Sequence, residues 1–137
     1  MKILVAVDPS DTTHLPVAKA AAMAKKEGAE LTLLVVAEAV EDMESLFGSQ
    51  ATDRLKQRAS KALDAAQAVA KAEGVTAKEM LETGVSPEEF VVEAAEKGGF
   101  DLVVMGSRGK KGVRRLLLGS VASKVVALAP CSVLVVR

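Results

Sequence analysis

The chain has no tryptophan and no tyrosine, and its only aromatic residues are Phe47, Phe90 and Phe100. Proteins that grip single-stranded nucleic acid stack bases on aromatic side chains carried by strands. None of the segments that read as strands here carries one, which argues against that function class. A lone cysteine, Cys131, excludes an internal disulfide, and with His14 as the only histidine there is no Cys/His cluster of zinc-binding spacing. No apolar run approaches the roughly 20 residues that a membrane helix needs. Met1-Lys2-Ile3 leads straight into a strand, without a leader-like segment, so a cytoplasmic location is expected. Charge of either sign is not in excess: 18 Lys and Arg balance 18 Asp and Glu. Bulk electrostatics therefore give no attraction for a polyanion.

What the 137 residues do have is alternation, and the length suits one domain spanning 1–137. Lys2–Val7 is a continuous apolar run of the kind that parallel strands buried on both faces present. It ends at Asp8-Pro9-Ser10-Asp11, and a helix is expected from Thr12 to Lys26, capped by Ser10 or Asp11, with Leu15, Ala18, Ala22 and Ala24 on its apolar side. Leu31–Ala37 is a second buried strand. Glu38–Gln50 reads as an acidic loop around Met43, Leu46 and Phe47. Ala51–Glu73 is a long amphipathic helix with Leu55, Ala59, Leu63, Ala66, Val69 and Ala70 along one face. Val75–Thr83 alternates, with Val75, Ala77 and Leu81 against Lys78, Glu79 and Glu82, as an edge strand with one wet face does. Ser86-Pro87 then opens a helix that runs to Lys97. Leu102–Met105, a helix from Val121 to Leu128 and a strand over Ser132–Val136 complete the chain.

This order predicts an α/β fold: a doubly wound, five-stranded parallel sheet with helices on both faces. A wet third strand belongs at an edge, which suits the strand order 3-2-1-4-5. In that order the first and fourth strands are neighbours whose connections leave toward opposite faces, and ligands bind at such a switch point, beyond the carboxyl ends. Asp8 and Gly106 stand at those two ends.

The segment after the fourth strand carries the chemistry. Met105-Gly106-Ser107-Arg108-Gly109 opens a glycine-punctuated loop with five basic residues, Arg108, Lys110, Lys111, Arg114 and Arg115, and Gly119-Ser120 introduces the next helix. Glycines let backbone approach a phosphate closely, and helix N-termini offer unpaired amides to it. The P-loop order fails because Val104 stands where its first glycine belongs, and no G-x-G-x-x-G occurs. Gly109-Lys110-Lys111-Gly112 matches the short GXXG of a KH loop, a weak pattern in the wrong place after a strand. The spacing present is Gly106-x2-Gly109-x9-Gly119-Ser120.

That spacing resembles the ATP-binding signature of the universal stress protein family, G-x2-G-x9-G-[ST]. The opening Ile3–Asp8, the strand Leu31–Ala37 and the closing Pro130–Val136 resemble the same family. The resemblance implies a Rossmann-like, adenine nucleotide α-hydrolase-like domain that binds ATP, with Mg²⁺ or Mn²⁺ held through the phosphates. It implies ribose contact by Asp8, adenine contact by backbone at Val36 or its neighbour, and a ribose and phosphate cradle from Gly106, Gly109, Gly119 and Ser120, with Met105, Arg108 and Val121 among the nucleotide-binding residues. It also implies a homodimer paired through strand 132–136, while any protein partner is left unidentified. Where many members have glycine after the aspartate, this chain has Pro9, which removes an amide donor. More local readings stand beside these: Asp8 has the makings of a turn residue, Ser120 of an N-cap, and each basic residue of solvated loop surface. His14 reads as helix surface in the first turn, Cys131 as a buried inert thiol, and Met23, Met43 and Met80 as packing residues.

Two function classes follow. The first is an ATP-dependent regulator or accessory protein of the stress response, with no catalytic residue and no protein-ligated metal. The alternative is a slow ATPase or nucleotidyl transferase that uses the same pocket. Phosphoryl transfer needs a residue to orient the nucleophile, and apart from Asp8 no clear base is available. A bare interaction module without nucleotide is a third reading, and the glycine signature counts against it.

Overall fold

The computed structural model describes residues 1–39, 48–107 and 118–137. The acidic loop cluster Met43, Leu46 and Phe47 and the basic loop residues, Arg108 and Gly109 among them, lie outside the described residues. The elements are β1 (Lys2–Val7), α1 (Leu15–Glu27), β2 (Glu30–Glu38), α2 (Ser49–Ala72), β3 (Lys78–Gly84), α3 (Pro87–Lys97), β4 (Leu102–Gly106), α4 (Ser120–Leu128) and β5 (Ser132–Val136). They form a five-stranded sheet in the order β3-β2-β1-β4-β5, the order expected from the pattern. All four strand pairs are parallel.

Each face of the sheet has its own core. On one side Ile3, Val5, Leu31, Leu33, Val35 and Val104 meet Val17, Ala20 and Ala24 of α1 and Ala59, Leu63, Ala66 and Ala70 of α2. On the other, Leu4, Leu34, Val103 and Met105 meet Val91 and Ala95 of α3 and Ala122 and Val125 of α4. Alternate residues of β1 and β4 thus serve opposite cores, which is why both strands read as unbroken apolar runs. Alanine-rich helix faces lie close to the sheet, and truncating one of the fully buried leucines, such as Leu33, to alanine would cost about 2–5 kcal/mol.

Local expectations at α1 and at the edge strand are corrected. The helix α1 begins at Leu15, and neither Ser10 nor Asp11 caps it. Asp11 Oδ1 instead accepts from the Thr13 amide and hydroxyl at 2.8 and 2.6 Å, holding a turn before the helix. His14 takes the cap position with φ 51°, a left-handed conformation uncommon outside glycine. The buried side of α1 is Pro16, Val17, Ala20, Ala21 and Ala24, which leaves Leu15 and Ala22 outward.

The edge strand starts at Lys78, three residues later than its alternation suggested. Buried Gln67 of α2 takes the backbone of Ala77: its Nε2 donates to the Ala77 carbonyl at 2.8 Å, and its Oε1 accepts the Ala77 amide at 2.9 Å. Val75 and Ala77 therefore precede the strand. Within it Met80 packs on the core beneath α3 and α4, as expected of it, while Leu81, expected on the apolar side, is exposed. Lys78 pairs with Glu30 across the start of β2 and β3 and holds that carboxyl below its usual range.

Candidate functional site

The switch point is where the two faces diverge. Strand β1 feeds α1 on one side of the sheet, its neighbour β4 feeds α4 on the other, and a cleft opens between them at the carboxyl ends. The cleft takes in about 890 Å³ including its open mouth, within the range of small-molecule sites. Asp8, Val36, Met105, Gly106 and Val121, five of the residues singled out from sequence, line it together. Gly119 and Ser120 stand just outside, at the start of α4.

Asp8 follows β1 immediately, half-buried. Its Oδ1 accepts from the Ser10 amide at 2.9 Å and the Ser10 hydroxyl at 2.7 Å, so the turn role anticipated for it is present. Both bonds fall on one oxygen. Among the described residues no donor sits on Oδ2, which leaves an acceptor for an outside hydroxyl.

Strand lengths open the second wall. Pairing of β2 with β1 stops at Val7↔Val35, whereas its pairing with β3 runs on to Glu38↔Gly84. The β1-facing edge of β2 from Val36 onward thus has no strand partner among the described residues. Backbone polar groups at such an edge must find partners elsewhere, and a flat heterocycle with donors and acceptors on its rim can supply them. Buried Leu34, Val36, Val91, Met105 and Ala122 give the apolar walls against which such a ring would lie.

The third wall is the start of α4. The Gly119 amide donates to the Ser107 carbonyl at 2.7 Å, and the Ser107 amide donates to the Val136 carbonyl at 3.1 Å. The two ends of the glycine loop are therefore clasped together against the end of β5. Gly119 is the cap residue with φ −62° and ψ 162°, and Ser120 is the first residue of the helix. The amides of Ser120, Val121 and Ala122 lie in a first turn, which has no intrahelical acceptors, so they and the helix dipole favour an anion. Gly119 has a backbone conformation open to any residue, so its missing Cβ matters for space rather than for φ.

Sequence reasoning missed Leu55, Arg58, Pro87 and Val91 as site residues, all of which line the cleft. Pro87 carried a signal only as a helix opener, and Arg58 resembles any exposed cation of an amphipathic helix.

The universal stress protein family model matches residues 1–137. The chain belongs to the universal stress protein family. The Bacillus subtilis universal stress protein YxiE is 37% identical to it over 146 residues, covering 99% of this chain and 98% of the relative. The universal stress protein in the QAH/OAS sulfhydrylase 3′ region of Thermus aquaticus is 40% identical, covering 98% and 97%. Among solved structures, universal stress protein UspA from Lactobacillus plantarum superposes with TM-score 0.85 at 28% identity, covering 100% and 97%. A universal stress protein in complex with cAMP does so with TM-score 0.76 at 27% identity, covering 100% and 97%.

No group of three or more His, Cys, Asp or Glu able to hold a metal occurs among the described residues, and none of the described helices is long and apolar enough to cross a membrane.

Proposed function

We propose that this member of the universal stress protein family binds ATP in the cleft and acts as a nucleotide-dependent regulator or accessory protein of the stress response, in the cytoplasm and as a homodimer. The carrying observation is that Asp8, the open edge of β2 at Val36, Gly106 and the first turn of α4 surround one apolar cleft. These residues fit an adenine nucleotide in kind: an edge with backbone groups for the base, a carboxylate oxygen for a ribose hydroxyl, and helix amides for phosphate. The solved relative with cAMP supports the adenine class.

In this reading the apolar walls strip water from the base, Asp8 Oδ2 accepts a ribose hydroxyl, and the amides at Ser120 and Val121 hold phosphate charge. Arg108 and Gly109 complete the cradle, and Mg²⁺ or Mn²⁺ is held through the phosphates and not by a protein ligand set. Ground-state phosphate binding of this kind lowers Kd without raising kcat. Protein purified without added nucleotide should release ATP or ADP on denaturation, detectable by anion-exchange chromatography. Single-turnover hydrolysis of ATP with Mg²⁺ should run far below about 10 per second, the middle of the enzyme range. A protein that neither retains nor takes up an adenine nucleotide contradicts the proposal, and fast turnover replaces the regulator with an ATPase.

A further inference from the structure

Beside the cleft runs a second groove, between the turn before α1 and the outer face of α2, lined by Pro9, Asp11, His14, Arg54, Arg58 and Lys61 among others. Arg54, Arg58 and Lys61 fall at helical spacing on one face of α2, and among the described residues none of them makes an ion pair. Like charges so spaced repel and cost helix stability. Among the described residues the groove holds one carboxylate, Asp11, whose Oδ1 accepts the Thr13 amide and hydroxyl. A chain of zero net charge thus places three cations against one carboxylate in one concave place, a net positive charge among the described residues. Such an arrangement favours an anion.

The groove is continuous with the cleft, because Pro9 and Arg58 line both. Their positions separate two anion sites. The first turn of α4 lies on one face of the sheet, and the groove lies beside α1 and α2, which cover the other face. Asp8 stands between them, one residue from Pro9. A 5′-phosphate drawn to α4 leaves the groove to a different substituent of the same ligand, and Asp8 puts the ribose hydroxyl edge next to it. We propose that the groove is a second phosphate subsite, taking a phosphoryl group on the ribose 2′- or 3′-oxygen of an adenine nucleotide whose base lies in the cleft. The other ribose hydroxyl remains free for Asp8. This inference rests on the nucleotide reading above, and its test separates the two.

The probes are AMP, adenosine 2′,5′-bisphosphate and adenosine 3′,5′-bisphosphate, titrated calorimetrically into wild type and the Arg54→Ala/Lys61→Ala double variant. Both positions are exposed on α2, where alanine suits the helix, and neither lines the cleft. One bisphosphate should bind wild type about tenfold tighter than AMP, as added charge-assisted hydrogen bonds allow. In the double variant that preference should fall below about threefold, with AMP affinity unchanged. Bisphosphates no tighter than AMP, or a preference that survives in the variant, overturn the subsite and leave the nucleotide reading standing. No binding of any of the three overturns both. Inorganic phosphate alone serves as the free-anion control: tight saturation by it, lost in the variant and without a bisphosphate preference, also overturns the assignment.

Discussion

The Gly119 amide and the Ser107 carbonyl oxygen are joined by a hydrogen bond of 2.7 Å that closes the base of the glycine loop. The bond uses the Gly119 donor, so phosphate contact falls to the amides after it and to the space that glycine leaves. Gly119 already has φ −62°, so valine there is conformationally allowed. Gly119→Val should fold, with a far-ultraviolet spectrum like that of wild type. It should lose ATP affinity roughly 10- to 100-fold, because a branched side chain stands where phosphate must approach.

Asp8 has two separable duties. Asp8→Asn retains a carbonyl oxygen for the Ser10 amide and hydroxyl, so the turn and the melting temperature should be kept. It removes the charge that strengthens a ribose hydrogen bond, and nucleotide affinity should drop about tenfold. A melting temperature that falls with unchanged affinity would leave Asp8 as a turn residue alone.

Gln67 anchors the entry to β3. Replacing it with leucine leaves the buried amide and carbonyl of Ala77 without partners, at about 1–3 kcal/mol for each such group. Urea denaturation of Gln67→Leu should show a loss of roughly 2–4 kcal/mol. A loss near zero would mean that water or another group replaces the amide.

Cys131 is half-buried, less enclosed than the sequence suggested. Burial first, and then the nearby Asp101 charge, push its thiol up. A raised pKa means less thiolate at a given pH, so Cys131 should react with a thiol-disulfide reagent several-fold more slowly than free cysteine at neutral pH. The reactivity should climb at higher pH than for the free thiol, and denaturation should abolish the difference.

Strand β5 closes one edge of the sheet, paired to β4 from Leu102↔Ser132 to Gly106↔Val136, with its side chains mostly half-buried. An unpaired edge of that composition invites a second chain. Light scattering at micromolar concentration should give a dimer mass for wild type and a monomer for Val135→Lys. A monomeric wild type removes the homodimer from the account.

Much of this was legible in the chain. The unbroken apolar runs of β1, β2 and β4 gave a parallel sheet, and the alternation before Ser86 gave an edge strand. Those two facts suit the strand order 3-2-1-4-5 that the structure has, and with it a cleft at the switch point. The errors have two causes, a tertiary contact that overrode local pattern at β3 and a local turn that was not recognised before α1. Alternation across Val75–Thr83 was read through Ala77, whose backbone belongs to Gln67, and this put Leu81 on the buried side, where only Met80, expected separately as a packing residue, is found. Thr12 looked helical until Asp11 turned to Thr13 and His14 took a left-handed conformation. Arg58 was invisible as a site residue because only the fold brings the middle of α2 to the end of β1.

The most direct test of the central claim is calorimetric titration of ATP with Mg²⁺ into nucleotide-free wild type, Gly119→Val and Asp8→Asn. Saturable binding to wild type at about one ATP per chain, weakened about tenfold or more in each folded variant, is the predicted result. Wild type that takes up no ATP, or two variants that bind it as wild type does, would contradict the assignment of this cleft.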